Sequence, residues 1–303
     1  MSDLISLWET PSSARHMIAG WNQWADAGNV SSGLPEFLAQ QTSARTIGEM
    51  KDCGYYLFQI PGAHHLLRPV VKLRDGYRES LQQRRNEFFY AGGEDRGFVL
   101  FLGEEPHQNE VRYSEAFFDA VEALGIKRVA ALGGVHASVP YDKERDISCV
   151  YSLPHMKEEL SHYAVRFSDY EGGATITTYL ADKAETRGIE FFSLYAFVPA
   201  YDFSSSSIVT HQVAMDEDPK AWYDVLRRLD HMLNLGLDLS DLAKRAEELV
   251  TEWDARIDHL VAAMQKLDIR GFMEKVNADF EERRFIPYRD LWEQELGDIL
   301  EGL

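Results

Sequence analysis

The chain has little cysteine, no long apolar run and too few basic residues to balance its acidic ones. Cys53 and Cys149 are the only cysteines in 303 residues. Two thiols cannot build a disulfide framework, and their spacing is not that of a metal site, so a reducing cytoplasm and buried structural thiols are expected. No apolar run approaches the ~20 residues a membrane-spanning helix needs. Met1-Ser2-Asp3-Leu4 opens no basic-then-apolar signal segment. Lys and Arg number 31 against 50 Asp and Glu, a net charge of −19. That balance argues against nucleic acid and anionic membranes as partners, because both need a basic surface. It suits solubility, or docking on a basic partner.

The chemical motifs missing are as informative. There is no G-x-S-x-G nucleophile elbow, no G-x-x-x-x-G-K-[ST] phosphate loop, no H-E-x-x-H and no G-x-G-x-x-G. No complete catalytic set, metal site or cofactor is expected, and an enzyme is the less favoured reading.

What is there is an α/β pattern. Gly97–Gly103 and Arg128–Gly134 are apolar runs suited to strands buried on both faces. Between them Tyr113, Phe117, Val121 and Leu124 step at helical spacing and Gly125 closes the helix. This strand–helix–strand unit is expected to place its two strands side by side and parallel, at the middle of the sheet. His16–Trp21 reads as the first strand, followed by a helix to about Gln41 that Asp26 or Asn29 could start. Thr46–Met50, Tyr55–Ile60, Arg68–Leu73 and Asn86–Tyr90 read as extended, an antiparallel elaboration of one edge, with Asp75-Gly76 as a turn. Asp146–Ser152 reads as a strand and Glu158–Ser168 as mixed. A helix runs to Arg187 before Gly188, and Ile189–Val198 is a strand that Pro199-Ala200-Tyr201 ends. Ser204–Ser207 marks a turn. Asp218-Pro219 opens a helix carrying Trp222, Val225, Leu226, Leu229 and Leu233.

From Asp238 on there are 17 acidic and 9 basic residues and no strand pattern. Leu239, Leu242, Ala246, Leu249, Trp253, Ile257, Leu260, Met264 and Leu267 form a narrow apolar seam. Shorter helices are expected after Gly271 (Phe272, Val276, Phe280) and after Pro287 (Leu291, Leu296, Ile299). The seam either folds back on its own domain or reaches a neighbouring subunit. The chain thus divides into a core domain, 1–236, and a C-terminal helical extension, 237–303. The fold class is α/β: a three-layer α/β/α sandwich around a mostly parallel central sheet, plus the extension.

Ligands of open α/β sheets lie beyond the carboxyl ends of the strands. The residues expected there are Trp21, Asp26, Glu104, Glu105, His107, Gly133, Gly134, His136 and Tyr201, with Asp202 beside them. Glu105 with His107, or Glu104 with His136, could form a metal or acid–base pair, or be solvated turn residues. Gly133-Gly134 could let a ligand approach the backbone or make a tight strand exit. His64-His65 and the pair His155 and His162 read as surface histidines.

The order of several motifs is similar to that of one family. Ile18-Ala19-Gly20-Trp21 with Asp26-Ala27-Gly28 is followed by Leu102-Gly103-Glu104-Glu105-Pro106, then Tyr170-Glu171-Gly172-Gly173-Ala174-Thr175-Ile176, then Ser193–Tyr201, then Asp218-Pro219-Lys220. Over roughly Arg15 to Leu249 the chain resembles the proteasome assembly chaperone 2 family, closest to bacterial members. The resemblance implies a phosphorylase/hydrolase-like α/β/α fold, self-association into a homo-oligomer, a possible protein client and an assembly or scaffold role. It supplies no catalytic residue. Two departures stand out: the chain ends Glu301-Gly302-Leu303 rather than in a hydrophobic-Tyr-x tail, and Ala200 replaces the histidine many bacterial relatives carry after the late-strand proline. The alternative reading is a small-molecule binder or hydrolase-like enzyme using the strand-end pocket.

Overall fold

The structure is a computed structural model and describes residues 3–59, 68–93, 96–203, 212–265 and 267–287. His64-His65, Ser204–Ser207, the expected helix through Leu291, Leu296 and Ile299, and the terminal tripeptide lie outside the described residues. In chain order the elements are β1 (Ile5–Leu7), β2 (Ala14–Asn22), α1 (Gly33–Gln41), β3 (Arg45–Met50), β4 (Val70–Arg74), β5 (Tyr77–Gln82) and β6 (Glu87–Gly92). Then come β7 (Gly97–Glu104), α2 (Glu110–Ala123), β8 (Arg128–Ala137), β9 (Ile147–Tyr151), α3 (Met156–Ser161), β10 (Arg166–Phe167) and α4 (Ile176–Arg187). The last are β11 (Glu190–Asp202), β12 (Gln212–Ala214), α5 (Pro219–Leu233), α6 (Ser240–Ala263) and α7 (Ile269–Ala278).

One sheet runs β1-β3-β6-β7-β2-β8-β11-β9-β10, with β12 paired to β11. Its centre, β7-β2-β8-β11, is parallel, and β1-β3-β6 join antiparallel at one edge. The expected α/β sandwich is therefore present, with helices on both faces. Alternation along the strands feeds two cores. Ile18, Leu100, Leu132 and Leu194 meet α1, α3, α5, α6 and α7 on one face, while Met17, Phe101, Val129 and Phe191 meet α2 and α4 on the other.

Three local expectations are corrected. The strands β7 and β8 are parallel but not neighbours, because β2 lies between and pairs with both. Ile18 and Ala19 of β2 are fully buried, so that strand fits an interior place that the local β7–α2–β8 pattern does not reveal. Pro199 does not end β11, which continues to Asp202. It sits where the antiparallel partner changes from β9, paired to Phe192–Ala196, to β12, paired to Ala200–Asp202. A missing N–H there leaves neither partner short of a donor. Tyr55–Gln59 is not a strand; the Tyr55 carbonyl instead accepts from His107 N and Gln108 N.

Two of the helices start on side-chain caps. The Asp218 carboxylate accepts from Ala221 N at 2.9 Å, with Pro219 opening α5, and Thr175 Oγ1 accepts from Thr178 N at 3.1 Å at the start of α4. Gly188 ends α4 at φ 66°, a conformation glycine adopts without steric cost. The apolar seam of α6 folds back: Leu242, Leu249, Trp253 and Ile257 are buried in the same core as α5. Trp253 packs on Tyr141 and Tyr201, each with ring centroids 6.0 Å away. At the start of α5 Arg145, wholly buried, donates from Nε to Asp218 Oδ2 at 2.8 Å and from Nη1 to the carbonyls of Pro140, Tyr141 and Lys143. Arg228, also buried, donates to Glu144 at 2.7 Å. The thiols differ: Cys149 is buried, its pKa pushed up to about 12 by desolvation, while Cys53 is half-buried.

Candidate functional site

At the carboxyl ends of β2 and β7 a chain of polar groups runs outward from the core. Trp21, whose ring is buried against Phe101 and Phe117, donates from Nε1 to Tyr113 Oη at 2.9 Å. Tyr113 Oη donates to Asn86 Oδ1 at 2.8 Å, and Asn86 Nδ2 donates to Tyr56 Oη at 2.6 Å. Tyr56 Oη then donates to the Glu104 carbonyl at 3.0 Å, and Glu104 N returns to Asn86 Oδ1 at 3.0 Å. The Glu104 carboxylate pairs with Arg84, whose guanidinium lies 5.7 Å from the Tyr56 ring centroid. Burial raises the Glu104 pKa against the opposing pull of Arg84. The His107 ring stands edge-on to Tyr56 at 5.7 Å, and its Nδ1 accepts from Leu57 N at 3.0 Å. Burial, then the Arg84 charge, lowers the His107 pKa.

Beside this network is a cleft of about 660 Å³, lined by Gly20, Asn22, Ser32, Glu36, Leu102 and Glu104 from the body and by Ser80, Leu81 and Gln82 of β5. A smaller hollow of about 250 Å³ lies at the opposite, amino ends of the strands, around Arg15, His16 and Arg96. None of the residues expected at a site lines it.

The loops after β2, β7 and β8 do converge. Asp26 bridges to Gly134, where any Cβ would lie 2.0 Å from the Ala27 carbonyl oxygen. The Asp26 carboxylate accepts from Ser31 N, Ser32 N and Ser32 Oγ at 2.6–2.9 Å, bonds that offset the rise in pKa its burial causes. Glu105 links two loops, accepting from Trp24 N at 2.9 Å and from Ile176 N, in the first turn of α4, at 3.1 Å. Gly133 makes room for the Tyr195 ring, which a Cβ would meet at 2.4 Å. The Tyr195 hydroxyl shares hydrogen bonds with Thr175, Thr177 and Thr178.

Other expected residues stand apart from this corner. His136 is exposed near the end of β8. Tyr201 is buried on the opposite face, under Trp253 and Phe272, with its hydroxyl donating to the Val139 carbonyl at 2.8 Å. Glu105 and His107 do not pair with each other: both carboxylate oxygens of Glu105 and Nδ1 of His107 accept from backbone amides. Among the described residues no group of three or more His, Cys, Asp or Glu is arranged to hold a metal ion. Tyr56, Arg84, Asn86 and Tyr113 belong to the network although none stands out by sequence. Asn86 gave no signal in the sequence, since its burial follows from the fold. Tyr113 was hidden among the apolar positions of α2.

Residues 20–256 match the model of the PAC2 family. Among solved structures, a proteasome-assembly chaperone homologue of Mycobacterium tuberculosis is 24% identical with TM-score 0.68, over 82% of this chain and 95% of that one. A PAC2 family protein of Streptomyces avermitilis is 23% identical with TM-score 0.67, over 85% and 98%. The archaeal proteasome activator PbaB of Pyrococcus furiosus is 20% identical with TM-score 0.60, over 83% and 96%. No curated protein matches this chain. At these identities the likeness to solved structures is one of fold.

Proposed function

The chain belongs to the PAC2 family, and from that premise we propose that it is a non-enzymatic, self-associating protein with a chaperone or assembly role, acting on protein partners. The observation that carries this reading is the family match across residues 20–256. Structural kinship to an archaeal proteasome activator and to an archaeal homologue of a proteasome-assembly chaperone supports proteasome subunits as the first clients to try. The strand-end residues support it too, because Asp26, Glu105 and His107 bind backbone amides and so hold loops in place. The test is native mass spectrometry of the full chain, alone and mixed with purified proteasome subunits. A defined oligomer that also takes up subunits is the expected outcome. A monomer that leaves those subunits free at micromolar concentration would overturn it.

The cleft beside Glu104 motivates a second reading, a small-molecule binder. Its volume of about 660 Å³ is within the ~300–1,000 Å³ common for ligand sites. A small bound mass on the freshly purified chain, lost in Glu36→Ala and Glu104→Gln, would favour this reading. Retention of the same mass in both variants would exclude this cleft.

A further inference from the structure

Trp24 and the Tyr170-Glu171-Gly172-Gly173 run take no part in the Trp21–Glu104 network or in the cleft. Both aromatic rings stand in solvent, Trp24 71% and Tyr170 69% exposed. They are nevertheless held in place. Glu105 accepts from Trp24 N through one carboxylate oxygen and from Ile176 N through the other, so it ties together the two loops that carry the rings. The Trp24 ring lies over Gly173, 3.7 Å from where a Cβ would stand. The Tyr170 hydroxyl lies over Gly172, where a Cβ would meet it at 2.2 Å, and donates to the Gly173 carbonyl at 3.4 Å. The two glycines are the floor on which both rings rest. Gly134 N donates to the Ala25 carbonyl at 2.9 Å, which brings the strand end carrying the exposed Val135 to the same loop. Positioned aromatic rings left in solvent serve as anchors of protein interfaces, since covering them costs little side-chain entropy.

Charge selects the partner. Residues 16–44, 97–111, 129–142, 167–182 and 188–203 supply β2, β7, β8 and β11, their exits and the entry to α4. They contain no Lys or Arg, in a chain that has 31. They bring Asp26, Glu104, Glu105, Asp169 and Glu171 to this end of the sheet. Arg84 balances Glu104. Asp169 and Glu171, on either side of Tyr170, are exposed and form no ion pair among the described residues. A cation laid on the Trp24 face is attracted both by the ring and by these carboxylates. Arginine suits the place better than lysine, because its planar guanidinium stacks on an aromatic ring. Nucleic acid is repelled here, and so is the acidic surface of a second copy.

We propose that the Trp24–Tyr170 corner is a docking surface for an arginine-bearing, positively charged segment of a protein partner. The proposal rests on the assembly reading above and names the surface and the chemistry of the client that it takes. The rings supply most of the affinity, and the unpaired carboxylates steer the approach.

The probe is a fluorescein-labelled peptide of alternating arginine and glycine, followed by fluorescence anisotropy on the full chain, with lysine–glycine and glutamate–glycine peptides beside it. The arginine peptide should bind most tightly, less so as salt rises, and the glutamate peptide not at all. Trp24→Ala and Tyr170→Ala should each weaken binding about five-fold. Gly172→Ala, whose Cβ displaces the Tyr170 hydroxyl, should match Tyr170→Ala. All three keep the net charge, so a general attraction to an acidic chain would leave them like wild type. Trp8→Ala, at an exposed ring beside the β1 edge, should bind as wild type does. Asp169→Asn/Glu171→Gln should flatten the salt dependence. Circular dichroism melts like that of the wild type are expected throughout, as these positions are exposed. Equal affinity in wild type, Trp24→Ala and Tyr170→Ala would overturn the proposal. In native mass spectrometry with proteasome subunits, undiminished uptake by Trp24→Ala/Tyr170→Ala would discard this surface and leave the assembly reading standing. Ring-dependent peptide binding with no subunit uptake would keep the surface and remove those clients. A photo-crosslinker at Tyr170 that joins only to another copy of the chain would overturn the foreign occupant.

Discussion

Two outgrowths of this molecule treat their apolar residues in opposite ways. The helices α6 and α7 press Leu242, Leu249, Trp253 and Met273 into the core shared with α5. The β4–β5 hairpin leaves Val71 and Leu73 in solvent. The α6 seam was the more conspicuous interaction candidate by pattern, being longer and regular. Yet its stripe is the one already covered, and the short hairpin, which pattern reads as a mere edge feature, is bare. An amphipathic period reports that a face needs cover; it does not report whether the same chain supplies it.

The comparison can be broken most sharply at Trp253. Removing its ring in Trp253→Ala should cost about 3–5 kcal/mol of stability in urea unfolding, the usual range for a buried aromatic. Leu73→Ser on the hairpin should change it by no more than about 0.5 kcal/mol. Comparable losses would mean the hairpin is as deeply bound to the body as α6. A similar or slightly smaller effect is expected at the buried ion pair that caps α5. Arg145→Met would strand the Asp218 carboxylate, itself wholly buried, at a cost of about 3–5 kcal/mol. Adding Asp218→Asn should restore part of that loss, because the amide can still cap α5 without a buried charge. No recovery in the double variant would show that the guanidinium matters through its three carbonyl bonds instead.

Smaller effects follow from pH. Burial raises the Asp224 pKa above its ordinary 3.8. Its protonated form is therefore favoured in the fold, so its contribution to stability is full below about pH 3.8 and is lost as pH rises through the folded value. Thermal melts of Asp224→Asn should be flatter than wild type across that interval; parallel profiles would contradict the assignment. His107 shows the other sign for acid. Its pKa is lowered from 6.5, so the fold favours the neutral ring, and stability should fall as pH drops from 6.5 through the folded value. His107→Gln should remove a small part of that acid sensitivity, and the hairpin, which lacks histidine, should add none.

Much of the framework could be read directly. Gly97–Gly103 and Arg128–Gly134 announce strands because a strand covered on both faces must be apolar throughout. Asp218-Pro219 and Gly188 announce helix ends because cap geometry is local. The strand β5 was not legible, since Tyr77–Gln82 alternates no apolar face and pairs only with its hairpin mate. At the candidate site the structure brings Asp26 to Gly134 and ties Glu105 to the loop after β2. Residue type did not tell what the carboxylates bind. Asp26 and Glu105 are taken up by backbone amides, and no sequence pattern distinguishes such a carboxylate from one aimed at a ligand.

The sequence by itself determined the class of fold, the family, the places where helices start and stop, and an acidic surface of net charge −19. These depend on composition, period and short-range hydrogen bonding. Only the tertiary structure decided that β2 separates β7 from β8, that Tyr201 lies across the sheet from Trp21, that α6 covers its own seam and that the β4–β5 hairpin stands uncovered. Each of these turns on which distant surfaces meet. Burial is a property of the pair of faces in contact, and one strand or helix carries only half of it.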